Sequence, residues 1–189
     1  MRILRSRDYR RMPWKNGGGE TLEIAAFPEG ASLADFEWRV SMATVASDGP
    51  FSIFPGIDRT LSILDGEGMT LFIDGQEAIV LTQESEPLPF PADAATSATL
   101  VAGPIVDLNV MTRRGVLTHR VERLIVDGNV DLDVEDQTLL LLCEKGNLDL
   151  ERADEKASLK ERDCLVLDLA DKGKLTLSGK ARCYVIRIA

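Results

Sequence analysis

Four stretches of the chain set large polar side chains among glycine, proline and aromatic residues, and they are where chemistry could reside. The first is Pro13-Trp14-Lys15-Asn16-Gly17-Gly18-Gly19-Glu20-Thr21. Three consecutive glycines cost backbone entropy and are kept where φ > 0 or close backbone approach is needed. A nest of N–H groups holding an anion is one such use; a flexible loop entering a strand is the other. The second is Trp38-Arg39-Val40-Ser41. In a strand, Arg39 and Ser41 share one face and Trp38 and Val40 the other, which is either a cation-bearing site or an ordinary wet outer face. The third, Gly49-Pro50-Phe51-Ser52-Ile53-Phe54-Pro55-Gly56-Ile57-Asp58-Arg59, reads as a rigid aromatic corner. Within it Asp58 either pairs with Arg59 or caps the turn and leaves Arg59 free. The fourth is Asp107-Leu108-Asn109-Val110-Met111-Thr112-Arg113-Arg114, where alternation puts Asp107, Asn109, Met111 and Arg113 on one side.

Arg39, Arg59, Asn109 and Arg113 are planar donors, and their common chemistry is recognition of a small anion. Guanidinium groups bind carboxylates bidentately, and a hydrogen bond to a charged group contributes about 1.5–3 kcal/mol. Two or three such contacts outweigh the repulsion of a chain with net charge -9, which physiological salt screens over ~8 Å.

Other chemistries lack their residues. His119 is the sole histidine, so an iron, zinc or copper site with several imidazoles is unavailable, although carboxylates alone could hold Mg²⁺ or Ca²⁺. No metal and no cofactor are expected. His119 could act as a general base, but its setting is that of an ordinary surface or sheet-edge histidine. Lys15 could form a Schiff base if desolvated, yet it is better read as touching ligand or covering the glycine loop. Ser41 and Ser52 lack a triad. No catalytic residue is assigned.

The elements that must position these groups are strands. Period-2 patterning and β-branched or aromatic residues mark 21–27, 36–43, 69–73, 78–81 and 117–124, then 138–143, 147–150, 164–169, 174–177 and 182–188. Asp74-Gly75 is a hairpin signal. Short helical turns are expected only near 7–12 and 28–35. Both halves run apolar strand, glycine turn, alternating strand, which favours a sandwich or barrel. The acidic, turn-rich stretch 127–136 places the lobe boundary there, giving lobes 1–126 and 127–189.

The acidic balance argues against nucleic acid, and Arg2, Arg5, Arg7, Arg10 and Arg11 read as a solvated edge offset by nearby acids. Cys143, Cys164 and Cys183 suit neither a disulfide framework nor zinc, and read as buried thiols in a reducing compartment. No signal peptide or membrane-length apolar run is visible, so a soluble, cytoplasmic protein is expected.

The four segments together, in this order, resemble the HutD/Ves family. The resemblance rests on Trp14-Lys15-Asn16-Gly17-Gly18-Gly19, on Trp38-Arg39-Val40-Ser41, on Gly49-Pro50-Phe51-Ser52 with Phe54-Pro55-Gly56 and Asp58-Arg59, and on Gly103-Pro104 with Asp107-Leu108-Asn109 and Arg113-Arg114. It implies an all-β bicupin, two fused antiparallel β-sandwich (jelly-roll-like) lobes, with a pocket in the first. Carried over by position, the ligand-binding residues are Trp14, Asn16, Arg39, Ser41, Arg59, Asn109 and Arg113. Arg59 and Arg39 would hold carboxylates, Asn109 and Asn16 would read amide or formyl groups, and Trp14 would wall the pocket.

Family members are associated with histidine utilisation, where N-formyl-L-glutamate is a proposed ligand and a regulatory role has been suggested, or with stress. No established catalysis comes with the family. The resulting expectation is a metal-independent sensor of a small anionic metabolite. The alternatives are a metal-free isomerase, lyase or hydrolase on the same pocket, and an interaction module that docks through its second lobe. A homodimer is compatible with all three.

Overall fold

A computed structural model describes residues 1–14, 17–135 and 137–189. The chain is all-β, with no α-helix among the described residues. Its strands are β1 (Arg2–Leu4), β2 (Arg10–Pro13), β3 (Gly19–Phe27), β4 (Trp38–Val45), β5 (Gly49–Pro50), β6 (Ile57–Asp65), β7 (Met69–Ile73) and β8 (Ile79–Leu81). They continue as β9 (Leu88–Pro91), β10 (Thr96–Leu100), β11 (Ile105–Arg113), β12 (His119–Val134), β13 (Thr138–Arg152), β14 (Glu155–Leu159), β15 (Cys164–Leu167) and β16 (Gly173–Ile188). A single 3-10 turn spans Ser6–Asp8, and the strand pairs are antiparallel.

Two compact units share the chain: Arg10–Thr118, and Met1–Tyr9 together with His119–Ala189. This division falls between Thr118 and His119, whereas the sequence reading places the boundary between residues 126 and 127. The stretch from Asp127 to Val134 continues β12, register-paired with β16 from Asp127↔Lys180 to Val134↔Gly173. Its acids alternate with Val130, Leu132 and Val134, so what composition suggests is a turn is a strand with one wet side. The first nine residues belong with the second unit because β1 pairs with β15, Ile3 opposite Leu165.

The unit Arg10–Thr118 is a two-sheet sandwich. One sheet runs β2-β3-β4-β11-β6-β9 and the other β5-β10-β7-β8. Ala43, Val45, Leu61, Ile63 and Ile105 of the first meet Met69, Leu71, Ile73, Leu81 and Ala98 of the second in one apolar cluster. The Asp74-Gly75 hairpin joins β7 to β8 as its sequence requires, with Gly75 at φ 75°. The connector at 28–35 makes turns rather than a helix.

The other unit is one six-stranded sheet, β1-β15-β13-β16-β12 with β14 on β13. Four strands inferred from the sequence are halves of two long ones, β13 and β16. A bulge between Cys143 and Lys145 explains how β13 stays continuous. It inserts Glu144, so Leu139, Leu141 and Cys143 before it and Leu148 and Leu150 after it keep to the same core. Glu144 is buried, and its charge is met by a bidentate pair with Arg182, Nε to Oε2 at 2.7 Å and Nη2 to Oε1 at 2.5 Å. Gly146 follows at φ 94°, where a Cβ would stand 2.3 Å from the Lys180 carbonyl. All three cysteines are free and buried.

Candidate functional site

The site is laid out by cross-strand register in the six-stranded sheet of the unit Arg10–Thr118. Residues directly opposite one another project to the same face. Met111 on β11 faces Arg39 on β4 and Arg59 on β6; two residues along, Asn109 faces Ser41 and Leu61; two further, Asp107 faces Ala43 and Ile63. These rows floor a cavity of about 610 Å³, whose walls include Trp14, Leu33, Phe51 and Phe54. The opposite face of β4 is buried as well, at Trp38 and Val40. Arg39 and Ser41 therefore lie inside the protein, not on a wet outer side.

Arg59 is 3% exposed. Its Nη2 donates a long 3.4 Å bond to the Ser52 carbonyl, its Nε has no acceptor, and no carboxylate among the described residues pairs with it. Its guanidinium carbon lies 5.3, 5.4 and 5.7 Å from the ring centres of Phe51, Phe54 and Phe90, contacts that favour a cation by about 0.5–2 kcal/mol each. Phe90 is its register partner on β9. Phe51 and Phe54 are set by the corner 49–56, which is pinned by Phe51 N–H to Thr96 O and Phe54 N–H to Ala92 O, both 2.9 Å. Of the two sequence alternatives, Arg59 is the free one: Asp58 accepts from Arg114 Nε at 2.8 Å instead. Desolvation pulls the Arg59 pKa down to about 10, with repulsion from Arg39 adding to it and Asp107 opposing. It stays charged at neutral pH.

Arg39 is committed. Its Nε donates to Glu23 Oε2 at 2.7 Å and its Nη1 to Ser41 Oγ at 3.3 Å. Asn109 Nδ2 donates to Asp107 Oδ1 at 2.6 Å. Asp107 is 1% exposed, and burial pushes its carboxyl up to about 7, against the pull of Arg59 and of hydrogen bonds from the Ala43 backbone and Asn109. Trp14 Nε1 donates to Thr21 Oγ1 at 2.9 Å, which fixes the indole as a wall.

The glycine run does backbone work. Gly17 sits at φ 71° and its N–H donates to Trp14 O at 3.1 Å. At Gly19 a Cβ would fall 2.1 Å from the Thr44 carbonyl and 3.1 Å from the Trp14 ring.

Of the residues expected at the site, Trp14, Arg39, Ser41, Arg59 and Asn109 line the cavity. Arg113 is not among the lining residues. It shares the face of Asn109 and Met111 but lies one step beyond the cavity floor, and its Nη2 donates to the Ala34 and Phe36 carbonyls at 3.1 and 2.9 Å. It fastens the connector that supplies Leu33. Asn16 and Lys15 lie outside the described residues. His119 opens β12 in the other unit and is not a lining residue. Among the described residues no three His, Cys, Asp or Glu side chains gather as a metal site.

Sequence reasoning missed Asp107 as a site residue, although strand alternation had placed it beside Asn109. It also missed Glu23, whose partnership with Arg39 depends on the β3–β4 register, and the three rings around Arg59.

The fold is thus all-β, with a buried arginine, which pairs with no carboxylate among the described residues, facing a cavity of about 610 Å³. The chain belongs to the HutD family, whose model matches residues 6–185. An uncharacterized 21.2 kDa protein of the hutC 3' region of Pseudomonas putida is 34% identical over 173 residues, covering 91% of this chain and 89% of the relative. Protein Ves of Citrobacter koseri is 43% identical over 112 residues, 57% of this chain and 56% of its own length. The crystal structure of HutD from Pseudomonas fluorescens SBW25 superposes with a TM-score of 0.85 at 34% identity, covering 100% of this chain and 97% of that one.

Proposed function

We propose that this chain is a metal-independent binding protein that takes a small carboxylate into the cavity of the unit Arg10–Thr118, as a cytoplasmic sensor of HutD type. N-formyl-L-glutamate is the ligand to test first. The observation that carries this reading is Arg59. A buried cation without an ionic partner is costly, and a cavity that holds one open to its interior gains most from an anion. Asn109 and Ser41 stand in the next row to receive polar groups, while Trp14, Phe51 and Leu33 enclose the apolar part. The bicupin arrangement belongs to the same reading, with the two β units as its lobes. The enzymatic alternative rests on His119 or Lys15; His119 does not line the cavity, and Lys15 lies outside the described residues.

Thermal unfolding with EDTA present, against N-formyl-L-glutamate, L-glutamate, N-acetyl-L-glutamate, urocanate and L-histidine, tests the reading. A ligand at about 100 times its Kd stabilises by ~2.7 kcal/mol, a rise of several degrees in Tm for a chain of this size. Arg59→Met should abolish that rise and leave the ligand-free Tm equal or higher, since the three phenylalanines accept a thioether. If no carboxylate raises the Tm of the wild type, the reading fails.

A further inference from the structure

Charge balance inside the cavity reaches further than the identity of the ligand. Four ionisable groups meet at or beside its floor: Arg39 and Arg59, Glu23 and Asp107. Arg39 and Glu23 cancel across a 2.7 Å pair, so neither is available without breaking it. Arg10 approaches the other Glu23 oxygen at 3.8 Å from the rim. The remaining two are Arg59, with no ion pair, and Asp107, whose described contacts are an amide of Asn109 and the Ala43 backbone. They are not in contact, yet each is the other's nearest uncommitted opposite charge on this floor.

The elements around Asp107 bring nothing else to neutralise it. β4 presents Ala43 and β6 presents Ile63 opposite it. Thr21 of β3 is engaged by Trp14. The four-stranded sheet contributes Ala98 to the lining, and the segment after β4 contributes Asp48, which is exposed and accepts from the Leu100 N–H at 2.8 Å.

We infer that the cavity takes up its carboxylate together with one proton, and that Asp107 is the residue that holds it. This rests on the carboxylate reading above. An anion seated on Arg59 removes the one positive charge that favours ionised Asp107 and adds a negative charge nearby. Both changes favour the neutral acid in a buried site. Protonated, Asp107 still accepts from Asn109 through one oxygen and gains an O–H to donate to the ligand. The site then selects for a hydrogen-bond acceptor, such as an acyl or formyl oxygen, a short distance from the carboxylate. A free ammonium there, as in an unmodified amino acid, would instead hold Asp107 ionised and pair with it. N-acylated amino acids are therefore the class taken up with a proton, and their free counterparts the class that is not.

Calorimetric titration of N-formyl-L-glutamate and L-glutamate into the full chain, in two buffers of unlike ionisation enthalpy, tests the proton. At pH 8 the wild-type heats for N-formyl-L-glutamate should differ between buffers by an amount equal to the uptake of nearly one proton. Affinity should weaken about tenfold per pH unit from pH 8 to 9. Asp107→Asn, which keeps an oxygen for Asn109, should bind with buffer-independent heats and a flat pH profile. As a readout independent of variants, the side-chain carboxyl carbon of Asp107 should titrate at higher pH in the NMR spectrum once ligand is added. Binding of N-formyl-L-glutamate without proton uptake, or uptake that persists in Asp107→Asn, overturns this inference while sparing the carboxylate reading. Absence of binding by any carboxylate overturns both.

Discussion

Burial holds the Asp107 carboxyl near pH 7, and the stability of the unliganded protein responds to that. A carboxylic acid whose pKa rises on folding binds a proton in the native state that the unfolded chain has already lost. Its contribution is fully favourable below the unfolded value near 3.8, declines as pH rises through about 7, and is constant above that. At 1.36 kcal/mol per pH unit the decline amounts to ~4 kcal/mol at most. Asp107→Asn carries no such term. Its stability relative to wild type should improve by up to that amount between pH 4 and 8, read from urea midpoints at each pH. A wild-type minus variant difference independent of pH would place Asp107 in a wetter setting than its 1% exposure indicates. Arg59 shows the complementary lesson. The adjacent letters Asp58-Arg59 suggest a local pair, whereas alternation on β6 sends them to opposite sides, one to Arg114 and the other to three aromatic rings.

At the scale of elements, β11 organises the site because it lies between β4 and β6 and sets which of their residues share a row. Arg113 ends that strand as a fastener. Arg113→Ala leaves the Ala34 and Phe36 carbonyls without the guanidinium donor and should cost ~1–3 kcal/mol. Binding should weaken only through the loosened connector, by less than tenfold, whereas Arg59→Met should remove it. Equal losses of binding in the two variants would return Arg113 to the ligand site. The alternation of Asp107, Asn109, Met111 and Arg113 was legible from the sequence. Where the cavity stops along that alternation was not, because it depends on how the 28–37 connector folds over the strand end.

Across the whole molecule, the chain's first residues complete a sheet made mostly of its last seventy. Asp163 links them: its carboxylate accepts from the Ser6 N–H at 3.0 Å, from Arg5 Nη1 at 2.7 Å and from the Lys160 N–H at 3.1 Å. Asp163→Ala should destabilise the unit that contains it by ~3 kcal/mol, since a buried acceptor of several bonds is lost. Hydrogen exchange should quicken at β1 and β15 and leave β4, β6 and β11 unaffected. Uniform quickening in both units would show that they unfold as one.

Composition and period-2 patterning determined that this chain is built from antiparallel strands, since alternation suits a pleated half-buried surface and leaves no room for a helical period. The order of its polar segments pointed to the right family, and five of the seven residues it singled out line the cavity. Tertiary structure decided the rest. Which arginine keeps its charge free depends on whether a carboxylate arrives from a neighbouring strand, as Glu23 does for Arg39 and none of the described residues does for Arg59. The domain boundary likewise follows from pairing: an acidic stretch becomes strand when a long partner, β16, is present to satisfy its backbone. Register is a relation between distant segments, and local spacing carries no record of it.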